Sequence, residues 1–318
     1  MNLMLSIIVT TYNHENYIEK AIDSILMQKV DFEYEVLIGE DCSTDNTREV
    51  LKGLEKKCGD NFHFIYRECN TYKNPDKFPL GNSSDLKAQS KGKYMIVLEG
   101  DDYWIDPLKL QKQVDFLETH PEYYACAHEC IVVNEYDEQI EREYLTGGEG
   151  DYDIRYLASN VMPGQTATFL HRNPYISYSL KELDFIVNPN YYIGDRRTVF
   201  FAATHGKIKT FPEKMSAYRY VKSSGSSFSA SDTKSFENEY PHYKSFVDYC
   251  ICNNINGDYK KYAEFMLYFF LLKCFLRKKI SFKELRHYSK RIPNHPYYLF
   301  ASIMFLVKKG IFRMKIAY

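Results

Sequence analysis

Over the first 130 positions, apolar residues fall alternately into short unbroken runs and into helically spaced sets. That alternation predicts an α/β domain built on a largely parallel sheet. The run LSIIVTTY reads as a buried strand, and HENYIEKAIDSILMQ, with Ile18, Ile22, Ile25 and Leu26 at helical spacing, reads as the crossover helix that follows it. YEVLIGED is a second strand. Ser43, Thr44, Asp45 and Asn46 then offer capping side chains for a helix over TREVLKGLEKKC. FHFIYREC is a third strand, SSDLKAQSKG a short helix and KYMIVLE a fourth strand. Asp106 and Pro107 combine an N-cap with a first-turn proline ahead of LKLQKQVDFLETH, where Leu110, Val114 and Leu117 share one face. This helix is expected to stop before Pro121.

Periodicity weakens from about 140 to 230, where loops rich in Tyr, Asn and Ser surround two apolar segments, QTATFLH and RTVFFAATHG. They are expected to form a second layer on the same domain. The Ser-rich run SSGSSFSASDTKS marks a loop or linker, which divides the chain into residues 1–230 and a region 231–318. Beyond it, KKYAEFMLYFFLLKCFL and NHPYYLFASIMFLVKKG read as apolar, aromatic helices. Each is interrupted by Lys or shorter than the roughly 20 residues a membrane-spanning helix needs. No repeat is apparent.

Of the 318 residues, 45% are apolar, enough for a sizeable core. The net charge of −1 conceals an asymmetry: from Lys273 to Tyr318 there are 12 Lys and Arg against the single acid Glu284. Such a tail suggests an anionic surface. Its apolar aromatic faces suit a membrane interface better than nucleic acid, and no nucleic-acid partner is expected. Eight cysteines without CxxC pairs, and a start that already reads as a strand, point to a reducing cytoplasmic setting with no leader. Cys126, His128 and Cys130 in ACAHEC carry zinc-type ligand atoms. In a strand, however, alternate side chains stand about 6.6 Å apart and cannot converge on one ion, so the three read as one buried strand face.

The candidate chemistry lies at strand ends. Thr10 and Tyr12, Glu40 and Asp41, and Glu99, Asp101 and Asp102 all fall where three apolar runs stop. Open α/β sheets bind ligands beyond the carboxyl ends of their strands. Three carboxylates within four residues call for a compensating cation, and an all-oxygen set suits Mg²⁺ or Mn²⁺ shared with substrate phosphates. The chain has neither GxxxxGK[ST] nor GxGxxG after a strand, so a glycine loop does not hold the phosphates.

These segments resemble the family-2 glycosyltransferases of the GT-A fold, of the kind that act in bacterial surface-polysaccharide synthesis. The resemblance is carried by SIIVTTYNHENYIEKAIDSILMQ, VLIGEDCSTDNT, KGKYMIVLEGDDYWIDPLKLQKQVDFLE and YIGDRRTVFFAATHGKIKTFPEKMSAYR. It covers roughly the first 220 residues and implies a mixed, mostly parallel sheet flanked by helices, followed here by a helical basic C-terminal region. It further implies that Thr10 and Tyr12 line a base pocket and that Asp41 bonds a uracil-type base. Glu99 takes the first place of the DxD motif, near ribose and metal, Asp101 the second as metal ligand, and Asp102 assists. Asp195 is the implied general base. Gln165, Thr166 and Thr168 are implied on the acceptor side, and Arg219 within reach of the diphosphate. Two departures stand out: Glu99 replaces the usual Asp, and Glu40-Asp41-Cys42-Ser43 replaces Asp-Asp-Gly-Ser.

The implied activity is that of an inverting, Mn²⁺- or Mg²⁺-dependent hexosyltransferase. It would move a sugar from a UDP-sugar to a lipid-linked glycan, with the protein held at the inner face of the cell membrane by its tail. A nucleotidyltransferase would place a Gly-rich loop after the first strand, where TTYNHEN has none. A catalytically silent nucleotide-sugar-binding module at the membrane is the remaining alternative.

Overall fold

The structure is a computed structural model and describes residues 3–159, 161–189, 191, 194–221, 235–293 and 295–316. The chain divides into two compact units. One holds Met1–Pro189 and Gly194–Asp232; the other holds Asn190–Ile193 and Thr233–Tyr318. The Ser-rich run at 223–235 lies outside the described residues except for Ser235.

In the first unit the chain runs through β1 (Leu5–Thr11), α1 (Ile18–Leu26), β2 (Tyr34–Glu40), α2 (Thr47–Leu54), β3 (Phe62–Tyr66), α3 (Gly81–Gln89) and β4 (Tyr94–Glu99). It continues with β5 (Tyr103–Trp104), α4 (Lys109–Thr119), β6 (Tyr123–Val133), β7 (Gly150–Asp151), β8 (Leu170–Arg172), α5 (Asp184–Val187), α6 (Gly194–His205) and β9 (Lys207–Arg219). The strands form one mixed sheet in the order β3-β2-β1-β4-β8-β6-β9-β5, with β7 paired to β9. β3, β2, β1 and β4 run parallel, while β8 joins β4 and β6 antiparallel.

Strand alternation sorts the core into two layers. Leu5, Ile7 and Val9 of β1 pack with Ile96 and Leu98 of β4 beneath α1, α2 and α4. Ile8, Leu37 and Met95 face the opposite way, onto Leu86 of α3 and the partly buried Val97. The chain therefore changes sides of the sheet between β3 and β4. The strand order reverses at the β1–β4 border, which is the topological switch point of such a sheet.

Three features depart from the sequence expectations. The start of α2 is set by Asn46 without a side-chain cap; Asp45 instead accepts from the backbone N–H and hydroxyl of Thr47. α4 starts at Lys109 rather than at Pro107, because Asp106 turns its carboxylate back onto the N–H of Leu108 (2.8 Å) and closes a turn first. β9 is a 13-residue strand that the pattern did not reveal. Its ladder with β6 jumps from Phe211 opposite His128 to Lys214 opposite Glu129, so Pro212 and Glu213 sit in a bulge where proline's missing N–H breaks no ladder bond. Cys126, His128 and Cys130 are buried in β6, as the strand reading expects.

The second unit consists of α7 (Phe236–Cys252), α8 (Asp258–Leu276), α9 (Phe282–Tyr288) and α10 (His295–Ile316). Tyr243 of α7 stacks on Phe270 of α8 at 4.6 Å, and Phe305 of α10 meets Phe269 edge-on at 5.0 Å. Ser281 and Glu284 form a capping box at the start of α9. No helix among the described residues is long and apolar enough to cross a membrane.

Inside the core, Lys109 is fully buried, with Nζ donating to Gln113 (2.7 Å) and lying 4.4 Å from the centre of the Trp104 ring. Burial holds its ammonium well below the ordinary lysine range. Between that lowered value and the ordinary one the unfolded chain binds the extra proton, so stability rises with pH across this window and is flat below it. Lys109→Met, similar in length but uncharged, should lose that slope. In urea unfolding, the stability of the wild type should gain on the variant by up to about 1.4 kcal/mol per pH unit within the window. Parallel curves for the two proteins between pH 7 and 10 would contradict this.

Candidate active site

The carboxyl ends of β2, β1 and β4 lie side by side, with Thr10 opposite both Gly39 and Glu99. Backbone bonds carry the ladder past the strand ends: Gly100 N–H donates to Thr10 O (2.9 Å) and Asp41 N–H to Thr11 O (3.0 Å). The strand ends thus bring Thr10, Asp41 and the acidic turn together at the switch point. Thr10 and Tyr12 are both half-buried there.

The acidic turn is tight. Asp102 N–H closes onto Glu99 O (3.0 Å), and one carboxylate oxygen from each of Glu99, Asp101 and Asp102 falls within 4.8 Å of the others. Gly100 is demanded by close approach: a Cβ there would stand 2.9 Å from His14 Nδ1 and 2.9 Å from both Cβ and Oγ1 of Thr11. His14 Nε2 lies 3.8 Å from Asp101, and burial lowers the pKa of His14 despite that carboxylate. Burial, reinforced by Asp101 and Asp195, pushes Glu99 up to about 8, while Lys87 opposes the rise.

Asp102 and Arg219 are both engaged within the protein. Asp102 is buried, and both its oxygens are taken, one by Gln165 Nε2 (2.6 Å) and one by the backbone N–H of Arg219 (2.8 Å). Arg219 is 2% exposed. Its guanidinium donates to Asp101 O (2.9 Å), Asn134 O (2.9 Å) and Asp137 Oδ1 (2.5 Å), and lies 4.2 Å from the centre of the Tyr17 ring. The cation offered to a diphosphate in the sequence reading is instead committed within the protein, as a brace under the acidic turn.

At the end of β2, Asp41 is buried and accepts from the backbone N–H (2.8 Å) and hydroxyl (3.0 Å) of Thr71 and from Asn70 Nδ2 (3.1 Å). Burial raises its pKa, and the bonds from Thr71 oppose the rise. Cys42, standing where the family pattern has glycine, adopts φ 58, a left-handed conformation that costs a side-chain-bearing residue about 1–2 kcal/mol.

Asp195 lies in the first turn of α6, exposed, and accepts from Thr166 Oγ1 at 3.3 Å. It lines a cavity with Thr166, Lys87, Val97, Phe169 and Thr198, among others. Of the three acceptor-side candidates only Thr166 reaches this cavity. Gln165 is held by Asp102 and by Ala167 N–H (2.7 Å), and Thr168 is buried with its hydroxyl on Gln165 O (2.7 Å). Sequence reasoning missed His14 and Lys87. His14 sits in the TTYNHEN segment directly after β1, a usable signal, whereas Lys87 reveals itself only through the side of the sheet that α3 covers.

The carboxylate set fits a hard divalent cation. All its donors are oxygens, and Asp101, unlike Asp102, has no hydrogen bond to its carboxylate among the described residues.

The model of the family described as Glycosyl transferase family 2 matches residues 6–173. The Mycobacterium tuberculosis protein Rv1520 is 29% identical over 218 residues, which is 68% of this chain and 58% of that protein. The chain thus spans little more than half the length of this relative. Bacillus subtilis TuaG, named for teichuronic acid biosynthesis as a glycosyltransferase, is 35% identical over 114 residues, covering 36% of this chain and 42% of TuaG. The structure of S. aureus TarS 1–349 in complex with UDP-GlcNAc superposes with a TM-score of 0.61 at 19% identity, covering 90% of this chain and 78% of that one. At that identity the likeness is one of fold.

The crowding around Gly100 yields a direct expectation. Gly100→Ala must push Thr11 or His14 aside at the base of the acidic turn, and overpacking of this kind costs about 1–3 kcal/mol. The variant should melt lower than wild type and bind Mn²⁺ more weakly, measured by differential scanning fluorimetry with and without the ion. An unchanged melting temperature would show that the pocket around Gly100 is slack.

Proposed function

The chain belongs to glycosyl transferase family 2 and has the GT-A fold, and from that premise we propose that it is an inverting, metal-dependent transferase moving a sugar from a UDP-sugar to a glycan. The observation that supports this best is the convergence of three parallel strand ends on one acidic turn, with Asp195 lining a cavity whose charges reach that turn. Catalysis is assigned to residues 1–230. Thr10, Tyr12 and Asp41 would receive the nucleoside, and Glu99 the ribose side. Asp101, helped by Asp102, would hold Mn²⁺ or Mg²⁺.

The metal, when bound, supplies a Lewis acid for the departing diphosphate. Asp195 does the work on the other reactant. It accepts the proton of an acceptor hydroxyl as that oxygen bonds to the anomeric carbon and the carbon–oxygen bond to UDP breaks. A single displacement of this kind inverts the anomeric centre. The acids at 99–102 serve the leaving group and do not supply this base. Thr166, donating to Asp195, holds the carboxylate in position.

The acceptor is read as a lipid-linked glycan of surface-polysaccharide synthesis, reached from the cytoplasmic face of the membrane through residues 231–318. Support comes from α10. Tyr298 and Ser302 are buried on it, Tyr298 bonding to Glu264 of α8, while Tyr297, Leu299, Phe300, Ile303 and Met304 are exposed. The exposed face is apolar within a strongly basic stretch, a combination suited to an anionic lipid interface.

Two experiments test these assignments. With Mn²⁺ and a panel of nucleotide sugars, wild type should release UDP. Asp101→Ala should lose metal-dependent UDP binding, whereas Asp195→Asn should keep it and turn over roughly 10²- to 10⁴-fold more slowly. Nucleotide binding without any turnover would favour a silent module, and a product of retained anomeric configuration would overturn single displacement. Separately, Phe300→Asp combined with Met304→Asp should abolish co-sedimentation of the full chain with phosphatidylglycerol vesicles. Undiminished sedimentation in 0.5 M salt with the double variant would remove the membrane assignment.

A further inference from the structure

We propose that Lys87 binds the sugar of the donor, donating a hydrogen bond to a sugar hydroxyl at the mouth of the small cavity it shares with Asp195, and so selects a neutral pyranose. This rests on the nucleotide-sugar reading above. The first ground is placement. α3 seats Leu86 against Ile8, Leu37 and Met95 on one face of the sheet. The next residue, Lys87, reaches the cavity beside Val97. Met95, Val97 and Glu99 alternate along β4, so the strand that carries Val97 into the cavity brings Glu99 to the same face two residues later.

The second ground is the lack of a partner. Among the described residues no carboxylate lies within 4.0 Å of Lys87 Nζ, and no hydrogen bond engages it; Lys93 and Lys112, by contrast, pair with Glu118 and Asp106 at 2.6 Å each. The remaining walls are Val97, Met162, Phe169 and Val199, with hydroxyls from Thr166 and Thr198. The cavity is small, about 40 Å³, and so would take one hydroxyl or hydroxymethyl group of the sugar, with the ring at its mouth.

The third ground is charge. Burial lowers the Lys87 pKa and the Arg197 guanidinium adds to the lowering, while Asp195 and then Glu99 act in the opposite sense, so the ammonium lies in the field of two carboxylates without touching either. A hydroxyl satisfies this arrangement because it accepts from an ammonium and donates to a carboxylate. An acidic sugar would bring a third carboxylate into the field of Asp195 and Glu99, which like-charge repulsion opposes.

The test compares binding of UDP, UDP-glucose, UDP-galactose, UDP-GlcNAc and UDP-glucuronate to wild type and Lys87→Met by calorimetry with Mn²⁺. Wild type should bind at least one neutral UDP-sugar more tightly than UDP. In Lys87→Met that advantage should shrink by about 10- to 100-fold, the scale of a hydrogen bond to a charged group, with UDP affinity unchanged. UDP binding by the variant doubles as the check that it folds. In wild type, UDP-sugar but not UDP should also protect Lys87 from acetylation, read by mass spectrometry. Equal weakening of UDP and UDP-sugars would transfer Lys87 to the phosphates and overturn the proposal. So would tighter binding of UDP-glucuronate than of any neutral sugar, or no sugar-dependent advantage in wild type. Failure of wild type to bind UDP at all would instead sink the underlying nucleotide-sugar reading.

Discussion

The buried guanidinium of Arg219 is the tie on which the site depends. Arg219 closes β9, and its backbone N–H meets Asp102 while its side chain meets the carbonyl of Asp101, so the last residue of one strand supports the turn after another. The same side chain engages Asp137 and lies against Tyr17 beside α1. A buried charge is tolerated only when its donors are matched, and here two carbonyls, a carboxylate and an aromatic face meet that requirement. The turn that carries the three crowded carboxylates is thereby held from beneath by fixed hydrogen bonds to the Asp101 carbonyl and the Asp102 carboxylate, while the Asp101 carboxylate accepts none among the described residues.

Sheet geometry then divides the labour. Because side chains alternate along β4, Ile96 and Leu98 enter the core with α1 and α4, whereas Val97 and Glu99 belong to the face that α3 and the cavity occupy. The core and the candidate site are built from one strand, residue by residue. The reversal of strand order between β1 and β4 opens the crevice in which both Thr10 and Glu99 stand.

The second unit follows a different physical logic. α10 buries Tyr298 and Ser302, with Tyr298 bonded to Glu264 of α8, and leaves a second face apolar and exposed. A helix apolar on both faces needs two neighbours. Within this unit α8 is one of them; the other is the anionic surface proposed above.

The sequence by itself determined the first four strands, the helices between them and the acidic turn, because buried parallel strands and amphipathic helices write their periods directly into the order of apolar residues. It determined Glu99, Asp101 and Asp102 as a cluster needing compensation, since that follows from charge and spacing alone. It did not reveal β9, whose Lys, Pro and Glu obscure any alternation and whose bulge is accommodated only by pairing with β6. Nor could it separate Thr166 from Gln165 and Thr168, neighbours in the chain that the turn sends to different partners. The role of Arg219 as a brace, and the sharing of one cavity by Lys87 and Asp195, 108 positions further along the chain, were decided by tertiary structure. Such contacts are set by which strand lies next to which and which face a helix covers, and no local pattern of residues encodes that.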